Sequence, residues 1–296
     1  MRFVIIGSPR TGSSHLVNML GAHPEVLCNG NIFHPKHVWV FWPDADLSRA
    51  VKAELREQRE ADPERLTERV FSTNYGRPHV GFKIFEGQND RILSKLIEDD
   101  SVRKVVLYRK NVLASYASKL IARKTGEFDA TDDKKPQEAP KVKFIAEKFM
   151  LFHNGYNKFY REVITHLVNA RQNFHFINYE EINDPYLFGS LLNFIGANPL
   201  LGISKEDQYK IHMKQNSSNI CSRFANHEEV EQFLRQQGLL HWAQEGETSL
   251  RYLDGAPPLS DGSPGPTFNN LPAGPEEDGD DDDVALPAAG RNFAGS

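Results

Sequence analysis

Only two cysteines, Cys28 and Cys221, occur in 296 residues. That is too few for a disulfide framework, and they lack metal-ligand spacing, so two reduced, partly buried thiols are expected. Long apolar runs are also missing. No stretch of about 18 apolar residues is present, so no segment reads as a membrane span. The first strand begins at Arg2, leaving no room for a signal peptide, and the expectation is a soluble, cytoplasmic protein. His34 and His37 of "HPKH" have no nearby carboxylate or cysteine to complete a ligand set, which argues against a metal there. A basic excess is absent as well, with 35 bases against 40 acids.

The charge is unevenly spread. Residues 254–296 hold seven prolines, seven glycines and nine acids, including "EEDGDDDD", with Arg291 the single base. Such a composition buries too little apolar surface to fold, so this tail is expected to be disordered. The remaining residues 1–253 carry 34 bases and 31 acids, a mildly basic balance that permits an anionic ligand without indicating nucleic acid. Their length suits one large α/β domain.

Within that domain short apolar runs alternate with helical periodicity. "RFVIIG", "HVGFKIF" (His79 to Phe85), "RKVVLYR" (Arg103 to Arg109) and "NFHFINYEEI" (Asn173 to Ile182) read as strands. A helix from about Ser13 must end before Pro24, and "DRILSKLIEDD" reads as another. Val142 to Ala170 carries Ile145, Phe149, Phe152, Phe159, Val163 and Leu167 at helical spacing, which marks scaffold. This alternation predicts a P-loop-like parallel β-sheet flanked by helices on both faces. Ligands of such sheets collect at the carboxyl ends of strands, where Arg10, Lys83 to Glu86 and Arg109 would face one crevice.

The stretch "GSPRTGSS" has the Gly7–Gly12 spacing of a phosphate-binding loop, but Ser13 stands where the ATPase lysine would be. Backbone N–H groups of Thr11, Gly12, Ser13 and Ser14 at a helix start would seat one phosphate or sulfate group. The missing lysine argues against ATP or GTP hydrolysis, although an atypical P-loop kinase remains an alternative. In "YRKNVLASYASKL", Arg109 ends a strand, and Ser115 and Ser118 lie opposite the apolar side of the following helix. An arginine fork and a serine hydroxyl so placed would grip a second phosphate.

These two stretches resemble the 5′-phosphosulfate loop and the 3′-phosphate motif of sulfotransferases that use 3′-phosphoadenosine 5′-phosphosulfate (PAPS). The version is that of bacterial carbohydrate sulfotransferases of the nodulation-factor and trehalose type. "FINYEEIND" and "KQNSSNICSRFANHEEVEQFL" resemble further segments of the family, the latter with Asn226 and Glu229 at capping-box spacing. The likeness covers roughly residues 1 to 245. It implies the sulfotransferase fold, PAPS as co-substrate without a metal, and a carbohydrate or small-molecule hydroxyl or amine as acceptor. It places Arg10 to Ser14 around the 5′-phosphate and sulfuryl group. It assigns Arg109 and Ser118 to the 3′-phosphate, with Ser115 and Lys110 as alternatives. Tyr179 would lie by the adenine unless it is a core residue, and Lys83 near the transferred group.

One departure stands out. Relatives often carry a glutamate after the first helix, whereas this chain reads "NGNIFHP" with Asn31 in its place, and an amide is no base. His34 is the first substitute and Glu86 the second. Phe33, Trp39, Phe41 and Trp42 of the same segment would wall an acceptor pocket or cover the core. A nucleotide- or PAPS-binding protein with altered catalysis is the alternative reading.

Overall fold

The computed structural model describes residues 1–42, 49–126, 139–201 and 218–245. The acidic tail expected from residue 254 onward lies outside them. Among the described residues, β1 (Arg2–Gly7), β2 (Val26–Asn31), β3 (His79–Phe85), β4 (Val102–Tyr108) and β5 (Phe174–Asn178) form one parallel sheet in the order β2-β3-β1-β4-β5. Eight described helices accompany it: α1 (Ser13–Gly21), α2 (Arg49–Ala61), α3 (Pro63–Ser72), α4 (Asp90–Glu98), α5 (Val112–Thr125), α6 (Ala146–Asn169), α7 (Pro185–Ile195) and α8 (His227–Gln236).

The central strand explains why the first run is apolar without alternation. Phe3, Val4, Ile5 and Ile6 are all fully buried because both faces of β1 are covered. Val4, Ile6, Phe82 and Val106 pack toward Leu66 of α3, Ile92 of α4, Leu113 of α5 and Phe149 of α6. Phe3, Ile5, Val105 and Leu107 pack toward Leu16 of α1 and Leu191 of α7. Burying Phe82 alone contributes about 1.5–3 kcal/mol. Local chemistry sets the helix starts: Asn89 caps α4 through Ile92 N–H (3.0 Å), and Asn111 caps α5 through Ala114 N–H (3.0 Å).

The strand expected over Asn173 to Ile182 ends at Asn178, where Tyr179–Glu181 turn into a 3-10 helix closed by a capping box between Asn178 and Glu181. The other strand ends shift by a residue or so, and three further differences have clear causes. Strand β2, "VLCNGN", is missed because two asparagines and a glycine dilute its β pattern. Its Asn29 amide is satisfied internally, donating to Gly81 O (3.3 Å) and accepting from Phe41 N–H (3.0 Å). The long helix begins at Ala146 rather than Val142, because Val142 forms a bridge with Phe224. The capping box expected from Asn226 and Glu229 is not formed. Asn226 Oδ1 accepts from Phe144 N–H (2.8 Å), and its Nδ2 donates to Phe144 O (2.9 Å) and Glu229 Oε2 (2.7 Å).

Strand order places the site. From β1 the chain moves to one side of the sheet, through β2 and β3, and from β4 it moves to the other, into β5. The adjacent carboxyl ends of β1 and β4 therefore form the switch point where open α/β sheets open a crevice. Arg10 follows β1 and Arg109 follows β4.

Candidate functional site

The loop after β1 is fixed from below. Ser8 N–H donates to Tyr160 Oη (3.0 Å), which itself donates to Leu107 O (2.6 Å), and Thr11 Oγ1 donates to Ser8 O (2.8 Å). Gly7 is required here, since a Cβ would lie 2.9 Å from Leu107 O. Arg10 has a positive φ of 71°, a conformation costing a non-glycine residue roughly 1–2 kcal/mol. Its neighbours hold it there. Arg10 Nε donates to Ser118 Oγ (2.9 Å), while Arg10 O accepts from Arg109 Nη1 and Ser115 Oγ, both at 3.3 Å. Both serines flagged in the sequence thus meet the first loop.

Gly12 caps α1 at φ 84° and lies against the Tyr179 ring so closely that a Cβ has no room. Arg109 also meets that ring, its guanidinium carbon 4.2 Å from the ring centroid. Tyr179, expected beside an adenine, contacts both Gly12 and Arg109. Lys83 is buried at the end of β3, donating to Ser14 Oγ (2.9 Å) and Ser13 Oγ (3.3 Å). One crevice therefore gathers Arg10, Thr11, Gly12, Ser13, Ser14, Lys83, Arg109, Ser115, Ser118 and Tyr179. Lys110 is exposed, and only its backbone is engaged, donating to Asn178 Oδ1 (3.1 Å).

The proton-accepting candidates occupy different surroundings. Asn31 pairs in register with Lys83, so the position lacking its carboxylate borders the buried lysine; its Oδ1 accepts from Phe33 N–H (3.1 Å). His34 sits in the turn that follows. Its Nδ1 accepts from Lys36 N–H (3.2 Å), its ring stacks on His37, and Arg59 ties the turn through the His34 carbonyl. A neutral imidazole accepting at Nδ1 carries its proton on Nε2. Glu86, just past β3, is partly buried, and burial pushes its carboxyl up to about 7, opposed by Lys119. Of the aromatic segment, Phe33 and Trp42 join the core, while Trp39 and Phe41 stay exposed.

Three charged residues of this crevice escaped the sequence reading. Glu245 is buried and its Oε1 pairs with Arg109 Nη2 and, at 3.0 Å, with Arg223 Nη2. Burial pulls the Arg223 guanidinium down, and Glu245 opposes that. Glu180, next to Tyr179, has its carboxyl raised by burial, partly offset by its own backbone and by Arg109. Sequence spacing gave no signal for Arg223 and Glu245, which only the fold carries to Arg109.

Comparison with known proteins points to one family. A model of the "Sulfotransferase family" matches residues 2–150, half of the chain. Nodulation protein H of Rhizobium tropici is 33% identical over 129 residues, 43% of this chain and 48% of that protein. Nodulation protein H of Rhizobium meliloti (strain 1021) is 26% identical over 205 residues, 66% of this chain and 77% of that protein. The chain thus spans about half the length of the first relative and about three quarters of the second. Among solved structures, a sulfotransferase from Alicyclobacillus acidocaldarius aligns at 15% identity and a TM-score of 0.44, covering 81% of this chain and 95% of its own. The sulfotransferase domain of the Synechococcus PCC 7002 olefin synthase aligns at 15% identity and a TM-score of 0.36, covering 72% and 77%. On the family match, which covers half of the chain from β1 through α5, the chain belongs to the sulfotransferase family.

Proposed function

We propose that the protein transfers the sulfuryl group of PAPS to a hydroxyl or amine of a carbohydrate or small metabolite by in-line displacement. The observation that carries this reading is the meeting of two separate anion-gripping motifs at one switch point, with Arg10 bound to Ser118 and Arg109 bound to the Arg10 carbonyl. A loop without the ATPase lysine beside a second arginine site suits a nucleotide with phosphate at two ends.

In this mechanism the acceptor oxygen attacks sulfur as the bond from sulfur to the 5′-phosphate oxygen breaks. The acceptor's proton passes to a base, and the leaving phosphate gains negative charge. Arg10 and Lys83, fixed beforehand, meet that charge without reorganisation, and one such donor is typically worth about 10²–10³ in kcat. His34 was the first candidate base, yet its Nδ1 lone pair is engaged by Lys36 N–H, so in this rotamer Nε2 donates rather than accepts. Glu86, at about 7, has the affinity for a proton that base catalysis at neutral pH favours.

The experiment is incubation with PAPS and a panel of sugars, amino sugars and small alcohols, with product detection by mass. A product heavier by one sulfuryl group, formed with stoichiometric adenosine 3′,5′-bisphosphate (PAP), supports the reading. Binding of PAP with no transfer to any acceptor favours a nucleotide-binding protein. Magnesium-dependent turnover of ATP overturns both. His34→Ala and Glu86→Gln assign the base by which of them loses kcat while retaining PAP affinity.

A further inference from the structure

The segment after β2 exposes a row of rings beside the crevice. From His37 to Trp42 burial alternates residue by residue: Val38, Val40 and Trp42 enter the core, while His37, Trp39 and Phe41 remain exposed. The exposed rings touch. His34 stacks on His37 with centroids 5.5 Å apart, and His37 meets Trp39 edge to face at 5.4 Å. Gly30 joins Phe41 to the row, because a Cβ there would lie 2.8 Å from Trp39 Cβ and 3.4 Å from Phe41 Cε2. Single exposed aromatics need no explanation, but a contiguous row on the surface marks a place where something binds.

Two restraints hold the row in place before any ligand arrives, so its ordering is not charged to binding. Arg59 of α2 donates to the carbonyls of His34, Pro35 (3.1 Å) and His37 (3.2 Å), stapling the turn. Trp39 N–H donates to Asn31 O (3.2 Å) and Phe41 N–H to Asn29 Oδ1 (3.0 Å), fastening the segment along the edge strand β2. Its location follows from the register. Asn31 pairs with Lys83, so one strand spacing separates Lys83 from Asn31 and a second separates Asn31 from Trp39, roughly 10 Å in all. A ligand lying on the rings is within reach of the buried lysine.

Resting on the sulfuryl-transfer reading above, we propose that His37, Trp39 and Phe41 form the acceptor platform and that they select a pyranose ring. The apolar C–H face of a sugar packs on indole and phenyl rings, whose π faces attract polarised C–H groups. Its hydroxyls then lie round the rim and need hydrogen-bonding partners. The imidazole of His37 stands within the row, and Lys36, Arg56 and Glu60 line a shallow cleft against the same turn. A purely apolar ring would leave those polar groups unused. Contacts this far from the transferred group act alike on ground and transition states, so they set KM and leave kcat.

The experiment measures transfer from PAPS to a panel of mono- and disaccharides by the parent, Trp39→Ala, Trp39→Phe and Phe41→Ala, all as full chains. PAP affinity and sedimentation are measured alongside. Trp39→Ala is expected to raise KM for a sugar acceptor about tenfold or more, with kcat and the PAP Kd within about twofold. Trp39→Phe restores most of that loss, and Phe41→Ala shifts KM in the same direction. An unchanged KM in folded Trp39→Ala, or an equal loss of PAP affinity, overturns the proposal. So does a parent that binds PAP yet transfers to no acceptor with a sugar ring, an outcome that leaves the donor reading standing. A parent that binds no PAP removes the donor reading, and the platform with it. Dissociation of a parent dimer by Trp39→Ala also overturns the proposal, by showing that a second copy covers the row. Should Trp39→Ala fail to accumulate, Phe41→Ala is judged by the same KM and Kd criteria.

Discussion

Truncation of Arg109 tests the crevice most directly, because the structure separates what it does for the fold from what it would do for a donor. Arg109→Ala removes a stack on Tyr179 at 4.2 Å, a hydrogen bond to Arg10 O at 3.3 Å and one partner of Glu245. The stack is worth about 0.5–2 kcal/mol and the hydrogen bond about 0.5–1.5 kcal/mol. Removing one partner of a buried pair costs about 3–5 kcal/mol when the other charge is stranded, but Arg223 remains on Glu245, so the loss here is smaller. A total of roughly 2–4 kcal/mol against a typical 5–15 kcal/mol leaves the variant folded with a lowered Tm. Loss of a charge-assisted grip on the 3′-phosphate weakens PAP by about 1.5–3 kcal/mol, or roughly 10–150-fold in Kd. Arg109→Lys keeps the charge without the fork and falls between parent and alanine. Thermal melts establish folding, and titration with PAP and 5′-AMP gives the Kd values. A folded Arg109→Ala variant whose PAP affinity matches the parent's refutes the assignment.

Lys83→Met keeps the apolar stem of a buried lysine while removing the cation that meets Ser13 and Ser14, so kcat should fall by about 10²–10³ with PAP affinity changed far less; equal losses in both show a binding role only. Gly12→Ala places a Cβ against Tyr179 at positive φ and should cost roughly 1–3 kcal/mol of stability, part of which Tyr179→Ala restores; additive losses in a double-mutant cycle show that the ring is not the obstacle. Glu86 has a folded pKa of about 7 against an ordinary 4.5, so the folded chain binds the extra proton between these values. That stabilisation is full below about 4.5 and is lost as pH rises through about 7. Melts of Glu86→Gln should therefore be flatter than the parent's across this window, by about 1–2 kcal/mol after allowing for partial solvent screening; parallel curves show that the carboxyl is not perturbed.

The apolar runs of β1, β3 and β4 and the spacing of Gly7, Arg10 and Gly12 are properties of neighbouring residues, so the sequence by itself determined the parallel sheet and the tight loop between β1 and α1. Arg109 was legible for the same reason, as a base at the end of an apolar strand followed by a helix. Strand β2 was not, because its Asn29 is satisfied by Gly81 O and Phe41 N–H, partners that no local pattern announces. His34 illustrates a different limit: its residue type suggests a base, but the hydrogen bond from Lys36 N–H decides which nitrogen holds the proton. The charge balance at Arg109 lay furthest from view. Glu245 is 136 residues from Arg109 along the chain and 22 from Arg223, and only the packing of the segment around α8 onto α5 brings them together. Periodicity and spacing record what a residue does with its neighbours in sequence. A buried ion pair is fixed by desolvation and distance, and those exist only once the chain has folded.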